Sequence, residues 1–413
     1  MKSGIPMFIV LVWISTHASA QRAGYPDFEL VESIPVETTL DNPDVRNTME
    51  VWLDMINGAT RSLDIEQFYI SNRAGEPLEQ IIQAITGAAE RGVAVRIIVD
   101  ARMYKTYPEP ADLLGKQKNT EVRVIDYGRL AGGVQHSKYF VVDGREVFLG
   151  SQNFDWRALK HIHELGVRIR HPQAVTVYED VFRLDWVLAA PGSRGKAMDR
   201  SAIEAQVRKK HYPAPFRLPE AGGDTVTFSP TCSPRGLIPD SALWDEKQIV
   251  RLIDAATLDV MCQFLTYSPV GRDKSYYAAL ENALRRAAAR GVKVKMIVSD
   301  WSKEHPTQEY LKSLSLIPNI EVKFSVIPEW SGGYVSFARV EHCKYLVIDS
   351  LRCWIGTANW EKSYFYTTRN VGVSVENGRI TQVLRRIFLK DWYGPYTEEV
   401  KADVEYPTRR HGE

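Results

Sequence analysis

Two stretches of the chain carry the same spaced set of reactive side chains. In the first, His136 and Lys138 are one residue apart, Asp143 follows after four more, and Gly150-Ser151-Gln152-Asn153 after a further six. In the second, His342, Lys344, Asp349 and Gly356-Thr357-Ala358-Asn359 repeat that spacing. Brought together, the copies would hold two imidazoles, two ammoniums, two amides and two hydroxyls, with no cluster of metal-ligating carboxylates. That set suits a phosphate diester. Lys138 and Lys344 would neutralise the non-bridging oxygens, and Ser151, Asn153, Thr357 and Asn359 would donate hydrogen bonds to them. One histidine would attack phosphorus while the other protonates the leaving oxygen. A covalent phosphohistidine would then be released by water or an alcohol. This chemistry calls for no metal and no cofactor.

Such side chains need a strand to aim them. Successive strand residues point to opposite faces, so H-x-K puts His and Lys on one face and Ser137 or Cys343 on the other. The continuations YFVV and YLVI are apolar on both faces, as in a buried strand. Asp143-Gly144 reads as a hairpin turn, and Asp349-Ser350 as a weaker version of it. The return strands, VFLGSQN and CWIGTAN, bring Ser or Thr and Asn back beside the His/Lys pair. Asp143 and Asp349 lie at the strand end, five residues beyond the lysine, and are expected to anchor the hairpin rather than touch phosphate.

The elements around the motifs also recur, at an offset of about 200 residues. The strand-like ATRSLDIEQFYI (59–70) matches ATLDVMCQFLTY (256–267). A helical stretch follows each, ending at Gly92 and at Gly291, then a buried strand ending at Asp100 and at Asp300. Both halves close on helix-like elements, VFRLDW (181–186) and IFLKDW (387–392). The expected fold is α/β: two tandem pseudo-symmetric repeats, each a mixed β-sheet flanked by helices, with one active site at the repeat interface. The expected bounds are 1–20 for a leader, 21–195 for the first repeat, 196–223 for a linker rich in Pro, Gly and charge, and 224–413 for the second repeat.

The duplicated H-x-K-x4-D-x6-G-S/T-x-N pattern resembles the signature of the phospholipase D superfamily, and the likeness runs over nearly the whole chain beyond the leader. It implies the phosphohistidine mechanism, independence of metal and a single site shared between the repeats. GSQNFDWRAL, GTANWEKSYF and FLKDWYGPY most resemble a branch with animal lysosomal single-strand exonucleases and poxvirus envelope proteins. The family's extended first motif ends in a Glu that steadies the catalytic histidine. The matching position is Glu164, and in the second repeat it is Asn370. A carboxylate on the far ring nitrogen fixes the tautomer and stabilises the imidazolium, and an amide does so less. On this asymmetry the resemblance implies His136 as nucleophile and His342 as general acid.

Other features bound the setting. Lys2, the apolar run PMFIVLVWI and Ala18-Ser19-Ala20 read as a cleaved secretory signal, so the protein is expected to be secreted, periplasmic or lumenal. The run is about half the ~20 residues that a membrane span needs. Without Lys2 the 52 basic residues become 51, against 51 acidic; any phosphate recognition is therefore local. The four cysteines, Cys232, Cys262, Cys343 and Cys353, form no CxxC pair. His161-x-His163 reads as a partly exposed strand pair rather than a metal site. Phe154, Trp156 and Trp360 read equally as cleft walls or core. Arg91, Arg285, Arg286 and Arg290 read as solvated helix faces.

The first functional expectation is cleavage, or transphosphatidylation, of a phospholipid. The second is a nuclease acting on single-stranded DNA or RNA ends with the same chemistry. The third is an inactive scaffold, against which stand the two intact H-x-K pairs. Two motifs in one chain mean that a monomer suffices for one site.

Overall fold

A computed structural model of the chain describes residues 26–189, 205, 207, 209–220, 223–271 and 273–412. The expected leader at 1–20 lies outside the described residues, as do 196–204, 206, 208, 221 and 222 of the expected linker. Phe216–Pro219, within that linker, is instead a strand that joins the second sheet. Among the described residues no helix is long and apolar enough to cross a membrane.

Two large mixed sheets are flanked by helices. The first runs Arg46–Asn47, Phe28–Ser33, Glu164–Arg170, Glu146–Gly150, Lys138–Val142, Ser62–Gln67, Ala94–Asp100 and Thr120–Ile125. The second runs Phe216–Pro219, Thr225–Ser233, Asn370–Glu376, Arg352–Gly356, Tyr345–Ile348, Asp259–Phe264, Lys293–Ser299, Ile320–Ser325 and Thr397–Glu399. In each, three parallel strands come from the βαβ part of the repeat. The motif hairpin is inserted antiparallel beside them.

Helical periodicity explains the covering layer. In Leu78–Glu90, Leu78, Ile81, Ile82, Ile85, Ala88 and Ala89 are buried along one face. Ala279–Ala289 buries Leu280, Ala283, Leu284, Ala287 and Ala288 in the same way. Gly92 and Gly291 follow at φ +94° and +88°, a left-handed exit that glycine adopts without strain. The second helix begins only at Ala279, after SYYA (275–278) of the stretch SYYAALENALRRAAARG that reads as helical. Tyr277 is instead drawn inward, stacking on Phe365 and donating to Glu246 at 2.5 Å.

The motif hairpins are true counterparts. Asp143 and Gly144 have φ of 54° and 65°, and Asp349 and Ser350 of 51° and 55°. The Asp143 carboxylate accepts from the main-chain N–H of Thr60, Arg61 and Ser62. Asp349 accepts from those of Thr257, Leu258 and Asp259. Each aspartate thus pins its turn to the start of the neighbouring strand, which fixes the register of the strand that follows the His-x-Lys pair. The motif glycine has a steric reason: a Cβ at Gly150 would stand 2.6 Å from Gly166 Cα on the paired strand.

The closing helix of the first half, Pro172–Leu188, ties the sheets together. Its Tyr178 hydroxyl donates to the Gly372 carbonyl of the second half at 2.9 Å. One hydrophobic core runs from the first sheet through this helix into the second sheet. All four cysteines are buried and free.

Candidate active site

His136 and His342 precede their strands, on short segments that cross to the other half. The His136 N–H donates to the Arg369 carbonyl at 2.9 Å, and Arg369 N–H to Val134 at 3.0 Å. In the mirror arrangement, His342 N–H donates to the His163 carbonyl at 2.9 Å, and His163 N–H to Val340 at 3.1 Å. Each motif is therefore threaded against the start of the other half's strand, Asn370–Glu376 or Glu164–Arg170.

The consequence is a crosswise exchange. Glu164 Oε2 lies 2.7 Å from His342 Nδ1, and Asn370 Oδ1 lies 3.2 Å from His136 Nδ1. The sequence expectation tied Glu164 to its own repeat; the structure places it behind the histidine of the other. The Asn370 amide orientation follows from its nitrogen, which donates to the carbonyls of Tyr364 and Thr368. Its oxygen thus faces His136, so Nδ1 carries the hydrogen and Nε2 keeps a lone pair.

Ser151 and Thr357 do not face outward, which corrects their expected role as phosphate donors. Both are fully buried. The Thr357 hydroxyl donates to Asn370 Oδ1 at 2.9 Å, and the Ser151 hydroxyl lies near the Glu164 carboxylate. Their oxygens accept from the N–H of Val371 and Leu165. They position the groups behind the histidines. Asn359 Nδ2 donates to the Tyr364 hydroxyl at 3.0 Å, and the Oδ1 atoms of Asn153 and Asn359 have no hydrogen-bond partner among the described residues.

Lys138 and Lys344 are fully buried. Each Nζ donates to the main-chain oxygen of the histidine two residues earlier, at 2.6 Å in both copies. That uses one of three N–H donors. Burial lowers both ammoniums, and Lys344 lowers Lys138 further; Lys344 itself comes down to about 8. Burial also depresses both histidines well below the usual imidazole value, and the two lysines add to the effect. Burial raises Glu164 to about 8 against the pull of Lys344, Ser151 and Lys138. Two buried ammoniums close enough to affect each other make an electropositive site.

Beneath each motif lies a buried charge cluster that spans the halves. Arg369 makes a bidentate pair with Asp185 at 2.6 and 2.8 Å, beside Glu66, which also binds Tyr139 and Gln135. At the equivalent place, His163 stands 2.6 Å from Glu341 and 3.7 Å from Asp391. Burial alone would lower His163, but Glu341 and Asp391 hold it at about 10, a lasting imidazolium. This corrects the reading of His161 and His163 as partly exposed: both are fully buried, and His161 packs between Trp156 and Trp330. His163, Glu341 and Cys343 could converge on a cation. The guanidinium that fills the matching place in the other cluster identifies His163 as the resident cation.

Sequence reasoning missed Tyr364 and Phe68, whose rings stand 5.0 Å from that of His136. It also missed the partner carboxylates of Arg369 and His163. A basic residue directly before Glu164 and before Asn370 was the available signal. Phe154 and Trp360 belong to the core, against Trp52 and Phe264. A cavity of about 510 Å³ lies on the His136 side, with Tyr364, the ring neighbour of His136, in its wall. Asp100, Arg102, Val134, Lys362, Tyr364 and Tyr366 are among its walls.

Residues 52–186 and 249–392 match the family described as cardiolipin synthase, PLD-like domain. The chain belongs to the phospholipase D superfamily. It is 31% identical over 405 residues to the 5'-3' exonuclease PLD3 of Bos taurus, covering 91% of this chain and 81% of that one. To the phospholipase D Z of Dictyostelium discoideum it is 29% identical, covering 89% of this chain and 90% of that one. Among solved structures, the phosphatidylserine synthase of Haemophilus influenzae superposes with a TM-score of 0.62 at 13% identity, over 85% of this chain and 84% of that one. This phospholipase D superfamily member lies near the PLD3 branch, and it is a phosphodiester hydrolase.

Proposed function

We propose that this hydrolase removes nucleotides from the end of single-stranded nucleic acid, through a phosphohistidine on His136. The cavity beside His136 carries the choice of substrate. Among the described residues Val134 is the only aliphatic hydrocarbon side chain on its wall; the rest are charged, hydroxylic, aromatic or glycine. A diacyl lipid needs a continuous apolar entry, whereas a nucleoside meets Tyr364 and Tyr366 for stacking and polar groups for its edges. The likeness to the 5'-3' exonuclease PLD3 of Bos taurus supports the same reading.

The unequal backing of the histidines supports a split of their roles. Neutral His136, its Nδ1–H held by an amide, presents Nε2 to phosphorus. The Glu164–His342 pair retains one proton up to about 8. Whether that proton sits on the carboxylate or the ring, Nε2 of His342 then bears a hydrogen. As the P–N bond to His136 forms, the P–O bond to the leaving group breaks, and that oxygen takes the Nε2 proton of His342. Water next attacks phosphorus, gives its proton to His342 and expels His136. Lys138 and Lys344 hold the non-bridging oxygens, with Asn153 and Asn359 beside them. The role split is the one the resemblance implied, but for the opposite reason: the carboxylate backs the acid, not the nucleophile.

We further propose export after cleavage at Ala20, and one site per single copy of the chain. The deciding assay runs residues 21–413 in chelator against end-labelled single-stranded DNA and against phosphatidylcholine vesicles. A stepwise DNA ladder is expected. Choline release without DNA cleavage would make the protein a phospholipase, and loss of all activity in chelator would refute the metal-free chemistry.

A further inference from the structure

The pseudo-twofold relation that pairs the histidines should also pair the spaces beside them, and it does so with one difference. The open cavity is bounded by Asp100, Val134, Thr367 and Thr368. Its counterpart on the His342 side is bounded by Asp300, Ala338 and Arg339, but only about 10 Å³ remains there. The space is occupied by Arg409–Gly412. Arg409 reaches Asp300 at 3.1 Å and the Ile327 carbonyl at 2.8 Å. The His411 and Gly412 carbonyls accept from the Phe337 N–H and the Tyr334 hydroxyl, both at 2.6 Å. The His411 ring lies 5.0 Å from that of Trp301. Just upstream, buried Tyr406 anchors the segment through Gln308 and Glu399. The receiving loop is held in an unusual backbone, with Phe337 and Arg339 at φ of 56° and 55°. A segment so anchored, seated where the other half keeps an open space, is a built closure.

We propose that Arg409–Gly412 plugs one end of a cleft that would otherwise run past both histidines. A strand can then leave the reacting phosphate only toward the cavity beside His136, and a chain interior cannot be seated across the site. This rests on the nucleic-acid reading above and adds the residues that would make the enzyme end-selective. The test compares a covalently closed single-stranded DNA circle, a linear strand of the same sequence and bis(p-nitrophenyl) phosphate. The parent chain is expected to degrade the linear strand and spare the circle. Arg409→Glu in the full chain, which sets a carboxylate against Asp300, should open the circle at least about tenfold faster than the parent while hydrolysing the small diester within about twofold. A chain ending at Pro407 should behave likewise. A parent that cuts circles as fast as linear strands overturns the plug. So does an Arg409→Glu variant that keeps small-diester hydrolysis and still spares circles. If the parent hydrolyses the small diester and cuts neither DNA, the nucleic-acid reading fails and the plug falls with it.

Discussion

Glu164 Oε2 stands 2.7 Å from His342 Nδ1, so a carboxylate from the first half serves the histidine of the second, 178 residues away. The reciprocal partner is an amide, Asn370. The proposed division of labour between the histidines rests on this pairing.

Removing the proton store should slow the first step only for a poor leaving group. Glu164→Gln and His342→Ala are expected to lower kcat on DNA by about 10²–10⁴-fold, the usual worth of a positioned acid. On a p-nitrophenyl diester the first step needs no acid, so a burst of nitrophenolate should persist in both variants. Absence of the burst would reverse the roles of the histidines.

His136→Ala should abolish both turnover and any trapped phosphoenzyme, whatever the leaving group. Asn370→Asp is the finer probe. A carboxylate at Nδ1 favours the imidazolium, which cannot attack phosphorus. The variant should acquire an acid limb in kcat/KM, losing activity as pH falls through the raised value of His136. A profile identical to the parent's would show that the backing group does not govern this histidine.

For the parent enzyme the pH dependence runs the other way. Burial and the two lysines keep His136 neutral far below the ordinary imidazole range, so activity should persist into acid. Glu164 and Lys344, both near 8, lose their protons as pH rises, which removes the acid and one anion-binding charge together. The kcat/KM profile should therefore fall above about 8; a fall centred near 6 on the alkaline side would contradict it.

Cutting a buried pair should destabilise the fold by more than an exposed pair would. Arg369→Ala leaves Asp185 buried without its guanidinium, and a loss of about 3–5 kcal/mol is expected in denaturant titration. His163→Ala acts in the same direction through Glu341. The folded pKa of His163 is raised to about 10, above the 6.5 of a free imidazole. Its contribution is thus complete below 6.5 and fades as pH rises through about 10. A shift under about 1 kcal/mol for Arg369→Ala, the size seen at exposed pairs, would refute the structural role.

What could be read in the sequence was local or periodic. Leu78–Glu90 declared itself by its apolar face, the hairpins by Asp143-Gly144, and the repeat by two H-x-K motifs at one spacing. Contacts between halves left no such trace. Counting from Asn153 locates Glu164 but not the ring behind which it stands, because strand pairing across the interface decides that. Ser151 and Thr357 read as phosphate donors since their neighbours in space, Glu164 and Asn370, were unknown. His163 read as half-exposed because its carboxylates, Glu341 and Asp391, lie far along the chain. Arg409–Gly412 carries no apolar or glycine pattern, so only its contacts reveal a place beside the site.

The two charge clusters, each closed by a cation from the opposite half, also set how the enzyme responds to dilution. Were the halves separate subunits, catalytic competence would be a matter of association and would disappear at low concentration. Joined in one polypeptide, each half meets the other at a fixed local concentration that no volume of solvent can reduce. The same tether released the halves from identity: a symmetric dimer must carry the same residue at both matching positions, whereas one continuous chain can keep Glu164 and Asn370 different.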